Sequence, residues 1–189
     1  MSNNELAAAS WKADPLIWGK GPRVFEMFLE PTCPYSVKAF GKLDAFLQEA
    51  DADRVTVKVR LQSQSWHMYS GVIVRCILAA STLPGGKETA KSVMAAIAAH
   101  REEFEFVRHC AGPNMDATPS DIIARLERYS GVGLREVFAI PDLDREIKWH
   151  SKYARQNGIH SSPTFMIDGL VDTNLSSGDD VSVWAARLR

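Results

Sequence analysis

Polar and apolar residues alternate without a break from Val55 to Gln62, VTVKVRLQ. Val55, Val57, Val59 and Leu61 fall on one side, and Thr56, Lys58, Arg60 and Gln62 on the other. A period of two is that of a strand with one face buried and one wet. RVFEMFLE (23–30) is apolar along most of its length, the pattern of a largely buried strand. Between these segments the period lengthens. Val37, Phe40, Leu43 and Leu47 recur at helical spacing, and Pro34 suits the first turn, where its missing N–H costs nothing. Strand, helix and strand form a βαβ unit with a right-handed crossover.

The middle of the chain reads as helical. Tyr69, Val72, Ile73, Cys76, Ile77 and Ala80 fit the i, i+3, i+4, i+7 template, and Pro84-Gly85-Gly86 ends that run. A second helix is predicted from about Lys87 to about Glu103, followed by a loop over AGPNMDATPS (111–120). Thr118-Pro119-Ser120-Asp121 then caps a helix carrying Ile122, Ile123, Leu126 and Tyr129. A further helix is expected over Leu143–Gln156. After Gly158 the pattern returns to sheet, with TFMID and LVDTN as two short strands around an Asp-Gly turn. Val181, Trp184, Ala185 and Leu188 share a face of a closing helix. The expected order is β-α-β, a block of helices at about 66–156, then β-β-α, all within one domain spanning 1–189.

Composition narrows the class. With 46% hydrophobic and 24% charged residues in 189, the chain suits a globular domain with a sizeable core. Its 22 basic and 23 acidic residues leave a net charge of −1, which supports neither a nucleic-acid nor an anionic-membrane partner. The first residues, MSNNELAAASWKADPLIWGK, carry no basic start followed by a long apolar stretch. No segment approaches the ~18 apolar residues of a membrane span, so a cytoplasmic location is expected. Three widely spaced cysteines make no disulfide framework and no metal-ligand pattern. The oligomeric state is not legible.

The chemistry centres on PTCPYS (31–36). Cys33 stands at the junction of the first strand and its helix, where unsatisfied N–H groups and the helix dipole favour negative charge. A thiolate is the nucleophilic form of cysteine, so Cys33 is the candidate nucleophile, against the plainer reading of a half-buried structural cysteine. Ser36, one turn on, can offer a hydroxyl to that sulfur but cannot form a disulfide with it. Cys76 lies on the apolar stripe of its helix and reads as core. Cys110, before a flexible-looking loop, is the better candidate for a resolving thiol. His67 sits with Trp66, Met68 and Tyr69 in QSQSWHMYSG, whose aromatic and apolar members can line a substrate surface.

Four features in order make the chain resemble the DsbA-like branch of the thioredoxin fold: PLIWGKGPRVFEMFLEPTCPYS, the βαβ unit, the helical insertion and GIHSSPTFMIDGLV. The resemblance spans about residues 14–188 and implies an α/β thioredoxin-like fold with the insertion between its halves. It identifies PTCPYS as a variant of the family's Cys-Pro-x-Cys motif in which Ser36 replaces the second cysteine. Cys33 and Ser36 are then the catalytic pair, with Pro34, Tyr35, Ser162 and Pro163 contacting substrate. It also implies a cis peptide bond before Pro163. Glu26, seven residues before Cys33 where the family often has an acid six before, is a candidate proton shuttle if buried and a surface charge if not.

The activity so implied is thiol–disulfide exchange through one cysteine, with thiol-containing proteins or glutathione as partners. No bound cofactor is expected, and glutathione is a candidate co-substrate. An alternative is a glutathione-dependent transferase or isomerase resembling the kappa-class transferases and the 2-hydroxychromene-2-carboxylate isomerases, with Ser36 activating the glutathione thiol. A third reading is a redox-inactive binding module.

Overall fold

RVFEMFL becomes β2 (Arg23–Leu29), the middle strand of five, and its near-continuous apolar character follows from being covered on both faces. The computed structural model describes residues 13–107 and 111–189. The sheet order is β1 (Ile17–Gly19), β3 (Val55–Leu61), β2, β4 (Thr164–Ile167) and β5 (Leu170–Val171). β2 and β3 run parallel with Phe25 opposite Val57 and Met27 opposite Val59, while β4 lies antiparallel on the other side of β2. β1, which sequence periodicity did not anticipate, adds three antiparallel residues to the edge of β3.

One face of the sheet carries Phe25, Met27, Val57, Val59 and Phe165 into the main core. There Phe25 packs on Phe46 of α2 (Leu43–Ala50) and on Trp184 of α8 (Val181–Ala186), with ring centroids 4.5 and 5.7 Å apart. The opposite face packs Phe28 and Met166 against Ala154 and Ile159, at the end of α7 (Leu143–Gln156). The predicted bounds of α7 agree with those observed.

Between β3 and β4 the chain forms α3 (Ser70–Ala80), α4 (Lys87–Ala99), α5 (Pro119–Ser130), a short α6 (Arg135–Phe138) and α7. α3 buries Ile73, Val74, Cys76, Ile77 and Leu78, more than one stripe, because α4, α5, α6 and α7 all pack around it. α5 begins with a full capping box: the Asp121 backbone N–H donates to Thr118 Oγ1, and the Thr118 backbone N–H donates to Asp121. It ends on Gly131 at φ 70°, a left-handed position that glycine adopts without strain. The β4–β5 hairpin turns through Asp168 (φ 49°) and Gly169 (φ 86°), the two positive angles of a type I′ turn.

Three predicted elements differ in detail. The helix opening at Pro34 is two: α1 (Pro34–Phe40) stops at Gly41, and α2 starts afresh at Leu43. α4 stops at Ala99 rather than near Glu103, and a 3₁₀ turn over Arg101–Phe104 brings Phe104 into the core. The 111–120 loop contains a 3₁₀ turn, Pro113–Asp116, where buried Asn114 donates to the Glu103 carbonyl at 3.1 Å.

Candidate active site

β2 ends at Leu29, and the next four residues turn sharply before α1. Cys33 is the N-cap of α1 with extended backbone (φ −64°, ψ 125°), and Pro34 follows at the first helical position. The sulfur is recessed, with Cys33 6% exposed, and its Sγ donates to the Ser162 carbonyl at 3.6 Å. The Ser162–Pro163 peptide bond is cis. Two segments 129 residues apart therefore meet at the sulfur, because β4 pairs beside β2 and delivers its preceding loop to the same end of the sheet.

Beneath the cysteine lies Glu30, fully buried. Its Oε2 accepts from the backbone N–H groups of Cys33 (2.6 Å) and Thr32 (2.9 Å), and from the Thr32 hydroxyl (2.9 Å). Burial pushes the Glu30 carboxyl above the ordinary carboxylate range, while Ser70, His67 and Thr32 oppose that rise. His67 completes the cluster. Its Nδ1 is 3.0 Å from Thr32 Oγ1, 3.0 Å from Glu105 Oε1 and 3.6 Å from Glu30 Oε2, and Glu105 is held in turn by Arg101.

The carboxylate bonded to the cysteine is thus Glu30 and not Glu26. Glu26 is also buried, but its oxygens face α7, accepting from Arg60 Nε at 2.6 Å and from the Tyr153 hydroxyl at 2.8 Å. Four residues separate the two acids, so both lie on the same face of the strand line, and only the later one reaches the turn. The Arg60 guanidinium that holds Glu26 is itself covered by Trp149, 4.6 Å from its ring centre.

Ser36 departs from its expected contact. Its hydroxyl is buried and accepts from the Glu30 backbone N–H at 3.2 Å, so it braces the turn beneath the cysteine instead of bonding to the sulfur. Ser36 as a whole is 1% exposed and its hydroxyl is engaged by the Glu30 N–H, so the transferase reading, which needs that hydroxyl at a glutathione thiol, is not favoured. Cys76 is fully buried in α3, and desolvation pushes its thiol up to about 12, so it is no resolving thiolate. Cys110 lies outside the described residues.

Gln64 was not singled out by sequence reasoning, yet it joins the two halves of the site. Its Oε1 accepts from the Ser162 hydroxyl at 3.0 Å, its Nε2 donates to the His160 carbonyl at 3.5 Å, and its backbone N–H donates to Ser70 Oγ at 3.2 Å. Tyr35, next to the motif proline, is 65% exposed, and Trp66 and Met68 flank His67 at 69% and 60%. Large apolar side chains thus stand in water at Tyr35 and on either side of His67.

Comparison with known proteins decides the family. A crystal structure from Pseudomonas syringae, described as a candidate protein-disulfide isomerase, is 68% identical, covers 93% of this chain and 98% of its own, and superposes with a TM-score of 0.91. The chain belongs to the DsbA-like thioredoxin-fold thiol–disulfide oxidoreductases. More distant DsbA-like structures share the fold. Pseudomonas aeruginosa DsbA2 is 18% identical, with 93% of each chain covered and a TM-score of 0.61. A protein-disulfide isomerase from Novosphingobium aromaticivorans is 15% identical, with 92% and 96% covered and a TM-score of 0.65. No family model and no curated protein matches the chain. The α/β thioredoxin-like architecture with inserted helices is therefore that of a DsbA-like protein.

Proposed function

We propose that this DsbA-like protein exchanges disulfides through Cys33 alone, forming a mixed disulfide that an external thiol resolves. The observation that carries the reading is the sulfur's setting. Cys33 sits at the Ser162 carbonyl beside a cis proline, while the position one turn on holds a buried serine bonded elsewhere.

In the first step the Cys33 thiolate attacks one sulfur of a substrate disulfide. A Cys33–substrate disulfide forms, the substrate S–S bond breaks, and the departing thiolate takes a proton from solvent. In the second step another thiolate attacks the mixed disulfide and frees Cys33. If that thiolate belongs to the substrate the outcome is isomerisation, with no net change of oxidation state. If it belongs to glutathione, its sulfur bonds the substrate sulfur as the Cys33–substrate bond breaks, leaving the substrate with one free thiol and one glutathione mixed disulfide. Ser36 cannot supply this thiolate, and Cys76 is buried and protonated. The proposed cytoplasmic location would supply a reducing thiol pool. Cys33 and the Ser162-Pro163 backbone touch the reacting groups, and Tyr35 and Pro34 border the docked chain. Glu30 and Ser36 hold the turn.

The test is intact-mass analysis after exposure to glutathione disulfide, followed by reduced glutathione. One glutathione adduct should form on Cys33 and be removed by the free thiol, and Cys33→Ala should form none there. An adduct-free wild type, or isomerase activity surviving Cys33→Ala, would overturn the proposal.

A further inference from the structure

Lys148, Lys152 and Arg155 stand at i, i+4 and i+7 on α7, all exposed, and none has an ion-pair partner among the described residues. Asp144, the acidic residue one turn before Lys148, is already held by Arg75. In a chain of net charge −1 this is a local, uncompensated positive stripe. Arg155, in the last turn, favours the C-terminal end of the helix dipole, a role that needs no partner. The three cations share an open face of α7 with Ile147, Ser151 and Gln156, with about 490 Å³ of solvent-filled space over it. Ser151 and Arg155 also line an adjoining cleft of about 280 Å³, whose other walls include Gln62, Gln64, Trp66 and His160. Gln64 accepts the Ser162 hydroxyl, and the Ser162 carbonyl meets the Cys33 sulfur. The basic stripe is therefore continuous with the loop that borders the reactive thiol.

We propose that this surface docks an acidic peptide segment of the thiol-bearing protein partner, lying along α7 with its carboxylates on Lys148, Lys152 and Arg155. The inference rests on Cys33 exchanging with peptide substrates and names the class of substrate it selects. Seven residues of helix advance about 10 Å, which is the reach of three extended residues, so a short acidic run matches the stripe. Trp66 supplies an apolar wall between stripe and sulfur. Such contacts between solvated charges are individually weak, and three of them amount to about tenfold in affinity at low salt.

The experiment uses the full chain. Noncovalent binding to Cys33→Ser is measured by fluorescence anisotropy with labelled peptides in which a blocked cysteine is flanked by three glutamates, three glutamines or three lysines. At an ionic strength of about 0.01 M, where screening is weak, the glutamate peptide should bind about tenfold more tightly than the glutamine peptide. The lysine peptide should bind weakest. The preference should vanish in Lys148→Gln/Lys152→Gln/Arg155→Gln, whose melting should fall by about 4 °C at most, from the lost dipole contact of Arg155. Equal binding of the three peptides overturns the proposal, as does a preference that survives the triple variant or tighter binding of a single-stranded oligonucleotide than of the glutamate peptide. In parallel, the wild-type chain is offered the same peptides as glutathione mixed disulfides. Acid preference in Cys33→Ser with no exchange in wild type would sink the exchange chemistry and leave the docking surface. Exchange without acid preference would do the reverse.

Discussion

Glu30 Oε2 lies 2.6 Å from the backbone nitrogen of Cys33, so a buried carboxylate is bonded to the very residue proposed as the nucleophile. The bond orders the turn, but an ionised Glu30 also sets negative charge beneath a sulfur that must itself become negative. Burial raises the Glu30 carboxyl, which eases this conflict by keeping the proton on it to higher pH.

Glu30→Gln keeps the acceptor oxygen and removes the charge. Iodoacetamide labelling of Cys33 should therefore be about tenfold faster than in wild type where Glu30 is ionised, the two rates converging as pH falls and Glu30 takes up its proton. A raised carboxyl favours folding below its unfolded value, and that contribution is lost as pH rises through its folded value. The variant's stability in urea should accordingly fall less than that of wild type as pH increases.

Ser36→Cys restores a second thiol one turn from Cys33. On oxidation the variant should lose two hydrogens (two protons and two electrons, the latter to the added oxidant) in intact mass with no adduct, and its mixed disulfides should be cleared without added thiol. The lost acceptor for the Glu30 N–H should cost about 1 kcal/mol in urea unfolding. Persistence of mixed disulfides in the variant would show that geometry, and not the missing sulfur, prevents self-resolution.

Gln64→Ala removes the side-chain bonds to Ser162 and His160 while leaving α1 untouched. Exchange with a peptide mixed disulfide, which needs the Ser162-Pro163 loop, should slow about tenfold. Labelling of Cys33 by a small alkylating reagent should change less than twofold. The contrast between these two rates, measured on one preparation, is the diagnostic.

His150 is buried, and its Nδ1 accepts from the Leu61 N–H at 2.8 Å at the end of β3. Burial and the nearby Arg60 guanidinium hold it down to about 3, so it stays neutral in the folded chain. An unfolded histidine takes its proton near 6.5. Stability from this residue is therefore complete above that value and lost as pH falls towards 3, by about 1.4 kcal/mol for each unit. Urea midpoints at pH 7 and pH 5 should show the drop in wild type, and a smaller one in His150→Gln.

Much of the framework was legible because it rests on periodicity and punctuation. The alternation of VTVKVRLQ, the Leu143–Gln156 helix, the Thr118 cap and the Asp168-Gly169 turn are local signals, and their structural outcomes are local too. β1 was not legible because three residues carry no measurable period, and their pairing with β3 is a tertiary fact. α1 and α2 merged in the pattern because Phe40 and Leu43 keep helical spacing across a two-residue break.

At the site, motif and order single out Cys33 and Pro163, and the structure brings Cys33 Sγ to the Ser162 carbonyl beside the cis bond. They miss Glu30, because sequence distance points to Glu26, and only the tight turn after Leu29 shows which acid can reach the Cys33 nitrogen. Helical spacing and the resemblance both point Ser36 to the sulfur. In three dimensions its hydroxyl points to the turn below. His67 stood in view as a loop histidine, but its bonds to Thr32 and Glu105 depend on the return of the chain after α4.

The clasp formed by Gln64 has a consequence for how this fold can diversify. The helical block leaves the sheet just after Gln64 and comes back just before Ser162, and that one side chain ties both points together. Whatever happens between them, its termini stay anchored beside the sulfur. Apart from His67, Ser70 and Glu105, which reach back to the turn beneath Cys33, the block can then be recut, lengthened or recharged as a module without moving the loop before Pro163.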